Sequence, residues 1–348
     1  MDSKNRIKYL DALRVVAAIA VIMLHTSAEC WGQRDVASLE QNVFTIYDSC
    51  VRWAVPVFLM ISGALFLGRE VPWKILYKKY IFRMIVAFVV WSSLYAVHSL
   101  IGGGGLKEFV RETISSHYHL WYIPMIIGMY MCHPILRRIV EDKKVTEYFL
   151  ILSFAFTFAI PWGTQLANDF APDRVKNAVA LLNGPINSMS LHLVIGYTFY
   201  YIMGYYLSQN ELAPRIKTWI YIFGVGGFLL TVLLSIGATY KAQMPMPYFS
   251  NFHVNILCEA LFVFVWFKEH CKQMEKTDTI LYKLSKYSFG VYLVHALILE
   301  QLNNRLGLNT LSFNPIISVP VITGIVFAIA LVISMVLNHI PKLNKYIV

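Results

Sequence analysis

Long apolar runs separated by short, basic polar stretches recur from one end of this chain to the other. Runs of about eighteen or more apolar residues are long enough to cross a bilayer as helices. They are too long for strands and lack the alternation of an outer-membrane barrel. The pattern predicts ten spans, over residues 9–30, 42–68, 76–101, 117–140, 145–162, 190–208, 215–239, 253–270, 285–306 and 314–340. The expected fold is an all-α polytopic membrane protein. It is read as one membrane-embedded domain over residues 1–348, its roughly ten transmembrane helices surrounding a central polar cavity. No internal repeat or low-complexity tract is visible. Gly102–Gly105 reads as a flexible hinge. Residues 163–187 form the longest polar interruption and are expected to shape a binding surface.

Composition supports a membrane protein and removes other classes. Hydrophobic residues make up 57% of the chain and charged residues 14%, against about 25% charged in soluble domains. A formal charge of +10 would suggest nucleic acid in a soluble chain. Here the basic residues alternate between loops, with 21 Lys and Arg on the side of the N-terminus and 7 on the other. Arg14 and Arg52 fall inside spans. Such a bias places both termini in the cytoplasm and assigns the charge to topology rather than to a nucleic-acid partner. Basic residues followed by the short apolar run Val15–Leu24 resemble a signal peptide. Arg14 borders that run, however, and no small-residue cleavage site follows promptly, so an uncleaved first helix is expected. Cys30, Cys50, Cys132, Cys258 and Cys271 have no metal-ligand spacing, and no metal site is expected. Cys30 and Cys50 share the outer side, where a disulfide between them is compatible with the topology.

Chemistry enters through the first span. Arg14 and His25 stand eleven residues apart, close to three helical turns, on one face and roughly 16 Å apart along the axis. Such residues are expensive in lipid and are functional candidates by default. A membrane histidine also serves well as an interhelical hydrogen-bond partner. Arg14 is harder to explain structurally, because it lies about one turn inside the span rather than at its end. Asp11, three residues earlier, is placed to pair with it. His25 has the side chain that titrates near neutrality and is suited to take a proton from a hydroxyl.

Four ordered blocks then carry a family resemblance. Leu10-Asp11-x-Leu13-Arg14 followed by His25 resembles the opening of the acyltransferase family 3 membrane proteins. Val55-Pro56-Val57-Phe58-Leu59-Met60-Ile61-Ser62-Gly63 is similar to that family's second-helix signature. His119-Leu120-Trp121-Tyr122, with Tyr130 and Pro134, resembles its fourth, and Ser288-Phe-Gly-Val-Tyr292-Leu-Val-His295-Ala its late-helix signature. The blocks cover residues 9–296, and the chain looks most similar to the enterobacterial common antigen O-acetyltransferase type.

That resemblance implies a bacterial, multi-pass inner-membrane O-acyltransferase. The acyl group, usually acetyl, would pass from a cytoplasmic acyl-CoA to a hydroxyl of an extracytoplasmic or lipid-linked glycan. It implies His25 as the catalytic base and Arg14 as its partner, by direct transfer or through an acyl-histidine. No tightly bound cofactor is expected, acetyl-CoA being a substrate, and a homo-oligomer is compatible with the reading. Lys78, Lys79 and Arg83, beside Lys74, are expected to bind the phosphates of CoA, although positive-inside anchoring accounts for the same cluster. The family's frequent Arg-x-x-Arg pair is incomplete here, with Tyr80 at its first position. Asp11, Ser62, His119, Trp121, Glu259, Tyr292 and His295 are the expected cavity residues. Of these, Trp121 also fits an interfacial belt, Tyr292 a packing role, and Glu259 needs a partner such as Arg52 or a histidine. Segments 163–187 and 240–253 are expected to set acceptor choice. A transporter of small polar solutes would use the same intramembrane charges, and a non-catalytic assembly protein is a third reading. Dependence on acetyl-CoA separates the enzyme from both.

Overall fold

The computed structural model describes residues 7–101, 105–192, 194–271 and 278–348. Gly102–Gly104 of the expected hinge, and Lys4, Arg6, Lys272 and Lys276 of the charge count, lie outside these. In chain order the helices are α1 (Lys8–Ala28), α2 (Leu39–Val51), α3 (Ala54–Phe66) and, entered through a π-helical turn at Leu76–Ile81, α4 (Phe82–Ile101). Then come α5 (Leu106–Ser115), a 3₁₀ turn at Tyr118–Trp121, α6 (Tyr122–Val140), α7 (Lys143–Ser153), α8 (Ile160–Phe170) and α9 (Asp173–Ser188). The last are α10 (Thr198–Gln209), α11 (Pro214–Ala242), α12 (Val254–His270), α13 (Asp278–Leu306), α14 (Pro315–His339) and α15 (Pro341–Tyr346). No strand occurs among the described residues.

Seven helical segments among the described residues are long and apolar enough to cross a membrane: Lys8–Ala28, Leu39–Phe66, Trp73–Val97, Tyr118–Val140, Lys143–Phe170, Pro214–Ala242 and Pro315–His339. The other three expected spans differ from this group for separate reasons. The span expected over 190–208 becomes helical only at Thr198, because Ser190 and Gly196 adopt φ of 53° and 103°, which no α-helix accommodates. Helix α12 has 17 residues. Helix α13 has 29 but carries Lys283, Lys286, Glu300 and Arg305. The interruption expected over 163–187 is itself largely helical. Its break falls at Ala171, held extended by the proline that follows it. Cys30 and Cys50 form no disulfide.

The chain divides into two compact units built from alternating segments. Unit 1 comprises residues 1–29, 69–135 and 274–348. In it α1 packs on α13 and α14, and α13 packs on α14. Its core joins Ile22 of α1, Trp91 and Tyr95 of α4, Ile123 of α6, Val291, Val294 and Leu299 of α13, and Ile322 and Val326 of α14. Tyr95 is inserted into the ladder of α13. Its hydroxyl donates to the Leu293 carbonyl at 2.9 Å and accepts from the Leu297 amide at 3.0 Å. This phenol thereby fixes α13 to α4 beside His295.

Unit 2 comprises residues 30–68 and 136–273. There α3 lies against α10 and α11 against α12. A Cβ on Gly63 would fall 1.7 Å from the Tyr201 carbonyl oxygen, and one on Gly204 2.0 Å from that of Met60. The two glycines let the α3 and α10 backbones touch, as small residues do where membrane helices cross. Gly63 of the second sequence block is thereby explained by packing.

Candidate active site

Unit 1 gathers four histidines, and α1 supplies the first. Helix α1 is rich in alanine, the best helix former, and holds no proline or glycine, so it runs unbroken from Lys8 to Ala28. Arg14 and His25 therefore keep the three-turn separation their spacing implies. The His25 ring stacks on His295 of α13, with centroids 5.2 Å apart and planes at 30°. It meets the edge of Tyr118 at 5.3 Å. His295 in turn stands edge-on to His119 at 5.1 Å.

Two more groups extend the cluster. Ser116, at φ 61°, and the extended His117 turn the chain before the 3₁₀ segment, and His117 and His119 end up side by side. Their Nδ1 atoms are 2.8 Å apart, and His117 Nε2 lies 2.8 Å from Glu300 Oε1. His117 also stacks on Tyr95 at 4.3 Å. The Tyr292 hydroxyl donates to the His119 carbonyl at 2.6 Å, which ties α13 to this turn. His295 Nδ1 lies 2.6 Å from the Tyr292 carbonyl, which can only accept. The proton of His295 is thus on Nδ1, and its Nε2 presents a lone pair. Nε2 of His295 and Nε2 of His119 are both buried without a hydrogen-bond partner among the described residues.

A cavity of about 310 Å³ opens at the C-terminal end of α1, lined by His25, Glu29, Tyr118, Glu300, Asn303 and Asn304 among others. Its size is at the small end for ligand sites, and carboxylate and amide groups dominate its polar lining. Glu29 lies one residue beyond α1. Burial, with a smaller contribution from Glu300, pushes its carboxyl up to about 7, while a backbone hydrogen bond at Thr310 opposes the shift.

Toward the other end of α1, Arg14 lies within electrostatic reach of Asp11, Tyr130 and Tyr122. Asp11 also accepts from the Ser285 hydroxyl at 2.6 Å. Tyr130 faces both Arg14 and Arg83 and stands 6.2 Å from the Tyr80 ring. Arg83 donates to the Val348 carbonyl. Lys78 and Lys79 are exposed on the π-helical turn, with the Lys79 ammonium 5.7 Å from the Tyr80 ring centre. Tyr80 supplies an aromatic face to this group.

Two expected cavity residues belong to unit 2. Ser62 donates to the Phe58 carbonyl of its own helix at 2.9 Å. Glu259 accepts from the Thr231 hydroxyl at 2.7 Å, and Asn255 donates to that same hydroxyl at 2.8 Å. Arg52, one of the partners expected for Glu259, bonds Asp48 one turn away on its own segment and covers the Phe249 ring at 4.4 Å. Its charge still reaches Glu259. Trp121 is 38% exposed beside Tyr122. Segments 163–187 and 240–253 meet within unit 2: His253 bonds Gln165 at 2.8 Å, and the Tyr248 hydroxyl donates to Asp169.

His25, His119, Tyr292 and His295 are thus brought together, and Arg14 and Arg83 both lie within electrostatic reach of Tyr130. Sequence reasoning missed His117, Tyr118, Tyr95, Glu29 and Glu300. Glu300 had a readable signal, an acid directly after the apolar stretch Val291–Leu299. A family model described as an acyltransferase domain, of the acyltransferase 3 family, matches residues 7–338. No curated protein and no solved structure matches the chain.

Proposed function

The chain belongs to the acyltransferase 3 family, and from that membership we propose a multi-pass O-acyltransferase of a bacterial inner membrane. It transfers an acyl group, acetyl first, from cytoplasmic acyl-CoA to a hydroxyl of an extracytoplasmic or lipid-linked glycan. The enterobacterial common antigen O-acetyltransferases are the type it resembles. The observation that carries the reading is His25, on one unbroken helix with Arg14, set among imidazoles at the wall of a pocket that also holds Glu29 and Glu300. The excess of basic residues on one side supports a cytoplasmic N-terminus. In that orientation the Arg14 end of α1 meets the donor and the His25 end meets the acceptor.

The acceptor hydroxyl gives its proton to His25 as its oxygen bonds the acyl carbon; the carbon–sulfur bond breaks and CoA leaves as thiolate. Arg14, with the phenols of Tyr122 and Tyr130 nearby, supplies positive charge and a fork of donors for a phosphate of the acyl-CoA. The exposed Lys78 and Lys79 draw the CoA phosphates by charge, and Arg83 lies deeper beside Tyr130.

Binding of acetyl-CoA to protein in nanodiscs tests the donor half of this reading. Saturable binding is expected, weakened about tenfold or more by Arg14→Ala and less by Lys79→Ala with Arg83→Ala, since an exposed lysine contributes modestly. Absence of binding to folded wild type would remove the acyl-CoA donor and favour solute transport.

A further inference from the structure

The contacts among Glu300, His117 and His119 constrain where protons reside. The Glu300 carboxylate accepts, so His117 carries its proton on Nε2. Where both rings are neutral, His117 Nδ1 is then an acceptor and His119 donates across the 2.8 Å contact from its own Nδ1, whereas a cationic His117 would donate and reverse the tautomer. In the neutral pair His119 Nε2 is left as a lone pair, in a side chain only 2% exposed. We infer that Glu300 and His117 are positioning residues that lock His119 as the Nδ1–H tautomer, keeping its Nε2 as a proton acceptor within the imidazole cluster of His25 and His295.

The surroundings are built for this. Tyr95 stacks on His117 at 4.3 Å and, through Leu293 and Leu297, fixes the helix that carries Glu300. Tyr292 holds the His119 backbone at 2.6 Å. The His119 ring is thereby gripped at one nitrogen and at its main chain, and the Leu293 carbonyl also reaches it. An imidazole in the wrong tautomer presents N–H where a base must present a lone pair, so the orienting group matters although it never touches substrate. Glu300 also lines the cavity beside His25, so one carboxylate joins the pocket wall to the tautomer of a ring behind it.

The inference rests on the acyl-transfer reading for its role and on the hydrogen bonds for its geometry, and two measurements separate these. Protein labelled with ¹⁵N-histidine and held in nanodiscs reports tautomers directly. His119 is expected as Nδ1–H in wild type and in His117→Gln, whose amide can accept from His119 and donate to Glu300, and as a mixture in His117→Ala. A wild-type His119 protonated on Nε2 overturns the inference. CoA-thiol release from acetyl-CoA, with water as acceptor, supplies the second readout. His117→Ala should lose about tenfold to a hundredfold, at or below the lower end of what general acid–base catalysis contributes, and His117→Gln should recover most of it. Equal loss in both variants, or loss in neither, contradicts the assignment. If His117→Ala does not fold, Glu300→Leu replaces it with the same expectation. A wild type that releases no CoA removes the acyl-transfer reading, while the tautomer measurement still decides the geometry.

Discussion

The two units bury polar groups in different ways. In unit 2 a cation and an anion share one segment, Arg52 and Asp48 a helical turn apart, and Glu259 shares the Thr231 hydroxyl with Asn255. Charge there is balanced by near neighbours, which is how a buried ion pair is made tolerable. In unit 1 imidazoles from three chain segments meet with one carboxylate at the edge, and their nitrogens are fixed by carbonyls and by one another. Imidazoles change protonation near neutrality where paired Asp and Arg do not. The polar groups of unit 2 are thus paired locally, and those of unit 1 are the ones the proposed acyl transfer would use.

The largest expected effect on that contrast comes from Asp48→Ala. It leaves the Arg52 guanidinium without its counter-ion and should cost about 3 kcal/mol of stability, read as a lowered thermal midpoint, with transfer per folded molecule little changed. Loss of turnover at unchanged stability would move this pair into the chemistry. Gly63→Ala comes next. Its methyl would enter the Tyr201 carbonyl, so α3 and α10 must separate, at a cost of about 1–3 kcal/mol as for other overpacked contacts. An unaltered midpoint would show that the close approach is not needed.

The smallest effects are pH slopes, and they have opposite signs in the two units. Glu29 in unit 1 is raised by burial from 4.5 to about 7. The native state then holds more protons than the unfolded chain, so this contribution to stability is complete below 4.5 and is lost as pH rises toward about 7. His253, in the loop of unit 2 before α12, is shifted below its ordinary 6.5 by burial. Its contribution is present above 6.5 and is lost as pH falls. Thermal midpoints against pH should lose the downward slope between pH 5 and 7 in Glu29→Gln, and part of the acid-side loss in His253→Gln. Unchanged profiles in both variants would remove these groups from the pH response.

What could be read in the sequence follows from how local each feature is. Arg14 and His25 lie on one helix, so their spacing carried their geometry directly. The late block placed Tyr292 and His295 one turn apart for the same reason. The His117–Glu300 contact joins positions 183 residues apart, and no spacing rule encodes such a pairing. Arg52 is shared: Asp48, reachable within a turn, takes its hydrogen bond, while its charge still reaches Glu259 and Thr231 supplies the hydrogen bond there. Hydropathy also overextended the segment 190–208, because it does not register the positive φ at Ser190 and Gly196 that postpones α10.

The rate of CoA-thiol release from acetyl-CoA by wild type and by His25→Ala, at equal amounts of folded protein in nanodiscs, tests the account most directly. A loss of about a hundredfold or more, with the thermal midpoint preserved, is the predicted result for removal of a general base. Release at the wild-type rate from the variant would contradict the role given to His25.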